Sequence, residues 1–148
     1  MLCASVLLAF CFFPMIIGST PDCEDAAFPT DKKIRELLYE KISAKMSDKS
    51  LSYDCEMEEA AQINLELFDY SGDNVGDLSP TSSGVAPTAA TKFVDPDTAI
   101  SAEESAEKAV ESWSQKLSKI SATKFGCVYA PKDHEGKLTQ RLFGCVFA

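Results

Sequence analysis

The chain has 148 residues, of which 45% are hydrophobic and 25% are charged, and this ordinary globular composition suits a single domain. Its formal net charge is −9, from 23 acidic and 14 basic residues. Because nucleic-acid backbones and anionic membrane surfaces would both repel such a chain, we expect neither to be its main partner.

The N-terminal segment differs from the rest of the chain. It carries no charged side chain up to residue 20, and residues 6–17 form an apolar run followed by small polar residues. A signal anchor is the alternative to a cleaved secretory leader, but the run is interrupted by Pro14 and is shorter than the roughly 20 residues that a spanning helix needs. We therefore predict a leader at 1–19, a secreted domain at 20–148 and no stable membrane insertion after cleavage.

The first helix is predicted at 30–47, with Thr30 or Asp31 as its N-cap. Apolar residues recur there at spacings of three and four: Ile34, Leu37, Leu38, Ile42 and Met46. The charged residues of the opposite face are expected to be solvated: Lys33, Arg35, Glu36, Glu40, Lys41 and Lys45.

A second helix is predicted at 54–68. One of its sides carries Met57, Ala60, Ala61, Asn64 and Phe68. Residues 69–100 are rich in turn formers, with a short strand recognisable only at 91–94. A loop of this length is unusual in a compact domain, so we expect either mobility or an unrecognised strand there.

A third helix is predicted at 101–121. Ser101 and Glu104 have the spacing of a capping box, and Trp113 lies on the apolar face, which indicates a core position.

Four cysteines remain after the predicted leader, namely Cys23, Cys55, Cys127 and Cys145. In a secreted chain this even number indicates two disulfides, with three alternative connectivities. Metal binding is the competing use, but the chain has no C-x₂-C pair and its single histidine, His134, cannot complete a Cys₂His₂ set.

The C-terminal region predicts a hairpin of strands 124–130 and 141–147, joined by a polar turn at 131–136. One antiparallel register, in which residue numbers sum to 272, brings together Phe125 with Phe147, Cys127 with Cys145, and Tyr129 with Phe143. All six side chains share one face, which their bulk indicates is buried. Opposed residues of a non-hydrogen-bonded pair are close enough for a disulfide, so we predict Cys127–Cys145 and, by elimination, Cys23–Cys55.

No arrangement of residues indicates catalysis. His134 lies in the polar turn without a neighbouring nucleophile, and the adjacent acids Glu58–Glu59 and Glu103–Glu104 are expected to point apart and face water. We therefore expect no enzyme activity, no cofactor and no metal.

Three strings resemble the CAP superfamily, the cysteine-rich secretory, antigen 5 and pathogenesis-related proteins, also called SCP domains. They are LSYDCEMEEAAQ at 51–62, ESAEKAVESW at 104–113, and the pair TKFGC at 123–127 with CVF at 145–147. The first is especially similar to secreted venom-allergen-like proteins of parasitic nematodes. The resemblance implies an α+β fold, a three-layer α-β-α sandwich in which three helices flank a small antiparallel sheet.

The departures from this family concern its cleft, which typically holds two histidines and two acidic residues. Neither histidine is present, residues 72–75 resemble a remnant of the Gly-Glu-Asn-Ile string with Asp73 in place of the glutamate, and the segment between Trp113 and Thr123 is short. The resemblance then implies a secreted, non-catalytic binding or host-interaction module whose partner is an extracellular protein or lipid. The alternatives are a coccidian-type surface antigen with a CAP-like fold, or a non-functional fragment of a CAP protein.

Overall fold

The computed structural model describes residues 20–25, 29–47, 50–67 and 78–148, so the predicted leader at 1–19 lies outside the described residues. The described helices are α1 (Lys32–Lys45), α2 (Cys55–Leu67) and α3 (Ala102–Leu117). The described strands are β1 (Ser52–Tyr53), β2 (Ala89–Asp95), β3 (Lys124–His134) and β4 (Lys137–Phe147). The predicted α+β class with three helices is confirmed.

Capping explains where the helices begin. The Asp31 carboxylate accepts hydrogen bonds from the backbone N–H groups of Lys33 at 3.0 Å and Ile34 at 3.2 Å, so Asp31 is the N-cap of α1. The capping box of Ser101 and Glu104 opens α3, as predicted. All three helices are shorter than predicted, since the caps themselves are not helical and α3 already ends at Leu117.

The sheet has the strand order β1-β3-β4-β2 and is mixed. β4 pairs antiparallel with β2 and β3, whereas β1 pairs parallel with β3. The prediction of an antiparallel sheet is therefore wrong for β1. This strand has only two residues, too few for a recognisable alternation, and it pairs with residues far along the chain.

The predicted register of the hairpin is confirmed for all three residue pairs. The turn is shorter than predicted, because residues 131–134 continue β3 and only Glu135 and Gly136 connect the strands. Both have positive φ, 52° and 76°, as in the type I′ turns that suit the twist of two-residue hairpins. His134 is thus an exposed residue at the end of β3, paired with Lys137.

The helices lie on both faces of the sheet. α1 and α3 cover the face that carries Phe125, Phe143 and Phe147, all of them fully buried. α2 covers the opposite face, over Ala90, Val128, Leu142 and Val146. This is the predicted three-layer arrangement.

A glycine allows α2 to approach the sheet closely. A Cβ atom at Gly126 would lie 2.0 Å from the backbone nitrogen of Glu58, so any side chain there would push α2 off β3. Trp113 lies on the other face, is 5% exposed, and donates from its indole Nε1 to the carbonyl of Lys92 at 3.1 Å. Its predicted core position is confirmed.

The region 69–100 contains β2, which extends the predicted strand 91–94 to Ala89–Asp95. Residues 68–77, which include Phe68 and the string 72–75, lie outside the described residues.

Candidate functional site

Four buried polar residues meet at the edge of β3, just beyond the point where β1 ends. They are Thr30, Arg35, Tyr53 and Glu58, each at most 7% exposed, and we call them the edge junction. Thr30 precedes α1, Arg35 lies in its first turn, Tyr53 is the second residue of β1, and Glu58 lies in the first turn of α2. Three separate elements therefore supply its side chains.

Arg35 and Glu58 form a bidentate ion pair at the centre of the edge junction. The Arg35 Nε donates to Glu58 Oε2 at 2.8 Å, and Arg35 Nη2 donates to Glu58 Oε1 at 3.1 Å. Two further guanidinium N–H groups donate to the backbone carbonyls of Thr30 at 2.9 Å and Pro21 at 3.4 Å. Burial lowers the pKa of Arg35, but the hydrogen bond and the charge of Glu58 outweigh this and raise it, so the guanidinium stays charged.

These positions correct two sequence predictions. The sequence predicts Arg35 on the solvated face of α1 and Glu58 among the acids that face water, yet both are 2% exposed. Each charge is buried because the other one compensates it, and the two residues lie 23 positions apart on different helices. Glu59, the neighbour of Glu58, is exposed as predicted.

Two hydroxyl groups of the junction take the place of a neighbouring strand. The Tyr53 hydroxyl accepts a hydrogen bond from Cys127 N–H at 3.1 Å and donates to Glu58 Oε2 at 2.5 Å. The Thr30 hydroxyl donates to the Cys127 carbonyl at 3.0 Å and accepts from Tyr129 N–H at 3.3 Å. The backbone of β3 is thereby satisfied where β1 no longer reaches.

The phenol and the carboxylate of the edge junction are already engaged in hydrogen bonds. Burial first, and then the charge of Glu58, raise the pKa of Tyr53 well above its ordinary value, so this phenol stays protonated. Thr30 N–H donates to Glu58 Oε1 at 2.9 Å, so both carboxylate oxygens also have partners. The arrangement can position β3 and its cysteine, but it offers no free acid, base or nucleophile.

The two disulfides connect the pairs named from the sequence. Cys127–Cys145 joins the central strands, with a Cα–Cα distance of 4.0 Å and both residues fully buried. Cys23–Cys55 ties the N-terminal segment to the first residue of α2, with a Cα–Cα distance of 5.4 Å. Cys55 is half-buried and borders a surface depression that Glu56, Ser83 and Lys124 also line.

A second polar cluster joins the end of β2 to α3. Asp95 is 1% exposed and accepts hydrogen bonds from Ser105 Oγ at 2.6 Å and Lys108 Nζ at 3.0 Å. Burial raises the pKa of this carboxyl, but the hydrogen bonds of Ser105 and Lys108 outweigh burial and lower it. Ser105 is completely buried, which makes it a structural hydroxyl and not an accessible nucleophile.

The exposed surface between α1 and α3 carries a series of ion pairs. Lys33 pairs with Glu103, Lys41 with Glu107 at 3.2 Å, and Lys45 with Glu111 at 2.7 Å. The solvated positions predicted for Lys33 and Lys45 are therefore confirmed, whereas Lys41 and Glu103 are only partly exposed. Glu104 is exposed, as predicted, and its side chain also takes part in the capping box.

No metal centre is formed by the part of the chain that the structure describes, which contains no group of three or more His, Cys, Asp or Glu residues able to hold an ion. His134 is exposed at the end of β3, where its partner in the ladder is Lys137. The absence of a zinc site from the whole chain stays a prediction.

The hairpin extends beyond the rest of the sheet. β2 pairs with β4 only as far as Arg141, and β1 pairs with β3 only at Lys124 and Phe125. Residues 131–140 therefore form a two-stranded ribbon that no other described strand continues, and residues 131–137 are all exposed. We call these ten residues the distal ribbon.

Fold, edge junction and two disulfides define a small, cross-linked α+β domain of the three-layer kind. The family model described as ASPRs, Ancylostoma-associated secreted protein related, matches residues 23–147. The chain belongs to this family, which is consistent with the CAP-like, nematode venom-allergen-like domain that its three strings resemble. A search of curated proteins and a search of solved structures found no match.

Proposed function

We propose that the protein is a secreted, non-catalytic module that binds an extracellular host protein through its distal ribbon. Secretion is supported by the family, whose members are described as relatives of a secreted protein, and by two disulfides, which persist in oxidising compartments. Among the described helices, none combines the length and the hydrophobicity that crossing a membrane requires.

The distal ribbon is the observation that carries the binding proposal. Its two strands are cross-linked near their base by Cys127–Cys145, so the ribbon is anchored on the most buried part of the sheet. Its exposed polar side chains are Lys132, Asp133, His134, Glu135 and Lys137, and the lysines and acids among them supply both signs of charge. Such a polar, protruding and firmly anchored surface suits a protein partner better than the apolar chain of a lipid.

A non-catalytic role is supported by the way the buried ionisable groups are used. Glu58 accepts hydrogen bonds from Arg35 and Tyr53, and Asp95 accepts hydrogen bonds from Ser105 and Lys108. A catalytic acid, base or nucleophile needs an atom that is free to contact the substrate. In the described residues, these buried groups instead hold elements of the fold together.

The test is affinity capture of host serum and cell-surface proteins on the oxidised mature chain, with identification by mass spectrometry. The binding variant reverses two ribbon charges, Lys132→Glu with Lys137→Glu. The control is Lys32→Glu with Lys119→Glu, which makes the same net charge change at two exposed positions outside the ribbon.

We expect at least one host protein to be enriched on the wild type and on the control, and to fall at least fivefold on the ribbon variant. Equal capture by all three proteins would show that the ribbon is not the contact surface. Absence of any enriched protein on the wild type would contradict the binding role itself.

A further inference from the structure

We propose that Ser82 is an acceptor for O-linked glycosylation by an N-acetylhexosamine. The inference rests on the proposed secretion, because the enzymes and activated sugars for this reaction are met along the secretory route. It starts from the segment 79–88, which has five hydroxyl residues, two prolines and no charge. Ser/Thr-rich segments with proline are typical O-glycosylation substrates.

The structure distinguishes the five hydroxyl residues of this segment. Thr81 is 6% exposed, and its Oγ1 accepts a hydrogen bond from Val85 N–H at 2.9 Å. The Ser83 hydroxyl donates to the Glu56 carboxylate. The Thr88 hydroxyl donates to the Phe147 carbonyl at 3.3 Å. These three hydroxyls are therefore already engaged.

The two remaining hydroxyl residues differ in exposure. Ser79 is half-buried, and its backbone N–H is held by the Asn64 side chain at 2.8 Å. Ser82 is exposed, and its hydroxyl makes no hydrogen bond to any described residue. A transferase can therefore take up the Ser82 hydroxyl without breaking an existing interaction.

Ser82 also lies at the corner of a tight turn. Gly84 N–H donates to the Thr81 carbonyl at 2.9 Å, which makes Ser82 and Ser83 the two central residues of a β-turn. The positive φ of Gly84, 86°, closes this turn and lets Thr81 N–H donate to the Val85 carbonyl at 2.9 Å. The corner projects into solvent, where modification sites on folded proteins are found.

The chemistry is a simple group transfer. The Ser82 Oγ attacks the anomeric carbon of a nucleotide-activated N-acetylhexosamine, and the bond from that carbon to the diphosphate breaks. The nucleoside diphosphate leaves with the electron pair, and the hydroxyl proton passes to the transferase or to the leaving phosphate. No oxidant or reductant takes part.

The sugar would stand beside the Cys23–Cys55 disulfide. Ser83, the neighbour of Ser82, lines the same surface depression as Cys55 and Glu56. A bulky, hydrated group at this corner would cover the half-buried Cys55 from the side of the loop.

The test uses the purified, oxidised full chain, a polypeptide N-acetylgalactosaminyltransferase and UDP-N-acetylgalactosamine, with sugar incorporation followed by intact mass and located by peptide fragmentation. We expect one sugar on the wild type, at least a tenfold loss in Ser82→Ala, and retention in Ser82→Thr. Thr88→Ala, an exposed residue of the same loop, should change incorporation less than twofold.

Two results would overturn the inference: no transfer to the wild type, or undiminished transfer to Ser82→Ala. Because the reaction is done with purified components, neither result depends on whether the chain is secreted. Expression of the chain with its own N-terminus in insect cells tests secretion separately, by the presence of the mature protein in the medium.

Discussion

Arg35 and Glu58 join two helices that lie on opposite faces of the sheet. Their bidentate contact, with distances of 2.8 and 3.1 Å, passes around the edge of β3 where β1 has ended. Because none of the described strands covers this edge, the side chains of α1 and α2 can meet there. The ion pair therefore links the two outer layers of the domain directly.

Removing one member of this pair should be strongly destabilising. Glu58→Ala leaves the Arg35 charge buried without compensation, and we expect a loss of about 3–5 kcal/mol in the free energy of unfolding. Urea denaturation followed by Trp113 fluorescence gives the measurement. The matched control is Glu103→Ala, which breaks an exposed ion pair with Lys33 and should leave the midpoint almost unchanged. Similar urea midpoints for both variants would show that the buried ion pair contributes no more to stability than the exposed one.

The Tyr53 hydroxyl should matter because it substitutes for a strand. Tyr53→Phe leaves the Cys127 N–H without an acceptor and removes a donor from Glu58, at a cost of about 1–3 kcal/mol. Tyr129→Phe is the control, since Tyr129 stacks on Phe143 through its ring and its hydroxyl has no hydrogen bond among the described residues. We expect the free energy of unfolding of the control to lie within about 0.5 kcal/mol of that of the wild type, as is usual for substitutions that break no hydrogen bond. A larger loss for Tyr129→Phe than for Tyr53→Phe would contradict the prediction.

Asp95 should make stability depend on pH in the acidic range. Its folded-state pKa is lowered, so its stabilising contribution is present above the unfolded-state value near 3.8 and is lost as pH falls through the folded value. Thermal unfolding of the wild type and of Asp95→Asn from pH 7 to pH 2 provides the comparison. The wild type should be more stable at pH 7, and the two curves should approach each other as pH falls below about 4 and through the lowered folded-state pKa of Asp95. Asp133→Asn, an exposed change on the distal ribbon, should follow the wild type. Parallel curves for wild type and Asp95→Asn would refute the assignment.

The two disulfides should differ in how easily they are reduced. Cys55 is half-buried at the surface, whereas Cys127 and Cys145 are fully buried, so a mild thiol reductant should open Cys23–Cys55 first. Replacing either pair by alanine should lower the melting temperature, with a contribution of about 2–4 kcal/mol per bridge. Mass spectrometry of alkylated, partly reduced protein follows the order of opening.

Peptide mapping of the unreduced chain checks the pairing itself. We expect peptides that join Cys23 with Cys55 and Cys127 with Cys145. A Cys23–Cys127 or Cys55–Cys145 peptide would be incompatible with the register of the hairpin. Simultaneous reduction of both bridges would contradict the expected difference in accessibility.

The hairpin could be predicted because its information is local and redundant. Two aromatic pairs and a cysteine pair agree on one register. Because side chains alternate in direction along a strand, all six then lie on the same face. The helices were recognisable from apolar spacing, and the capping box marked the start of α3. In each case a periodic pattern carried the prediction.

The edge junction could not be found in the same way. A charged residue in the first turn of an amphipathic helix ordinarily faces water, and nothing around Arg35 indicates that its partner lies in another helix. β1 was missed because two residues cannot show a period, and its partner strand follows about 70 positions later, as the pairing of Ser52 with Lys124 shows. Burial of these residues depends on tertiary proximity, which a linear pattern does not contain.

The order of the strands has a consequence for how the chain acquires its structure during synthesis. β3 and β4 are the central strands of the sheet, yet they follow all three helices and both edge strands in the sequence. β1 and β2 therefore lack the strands with which they pair until residues 124–147 have left the ribosome. Until then the apolar faces of α1, α2 and α3 lack the sheet that buries them. Such long-range pairing slows folding and leaves apolar surface of the nascent chain exposed to aggregation until β3 and β4 are available.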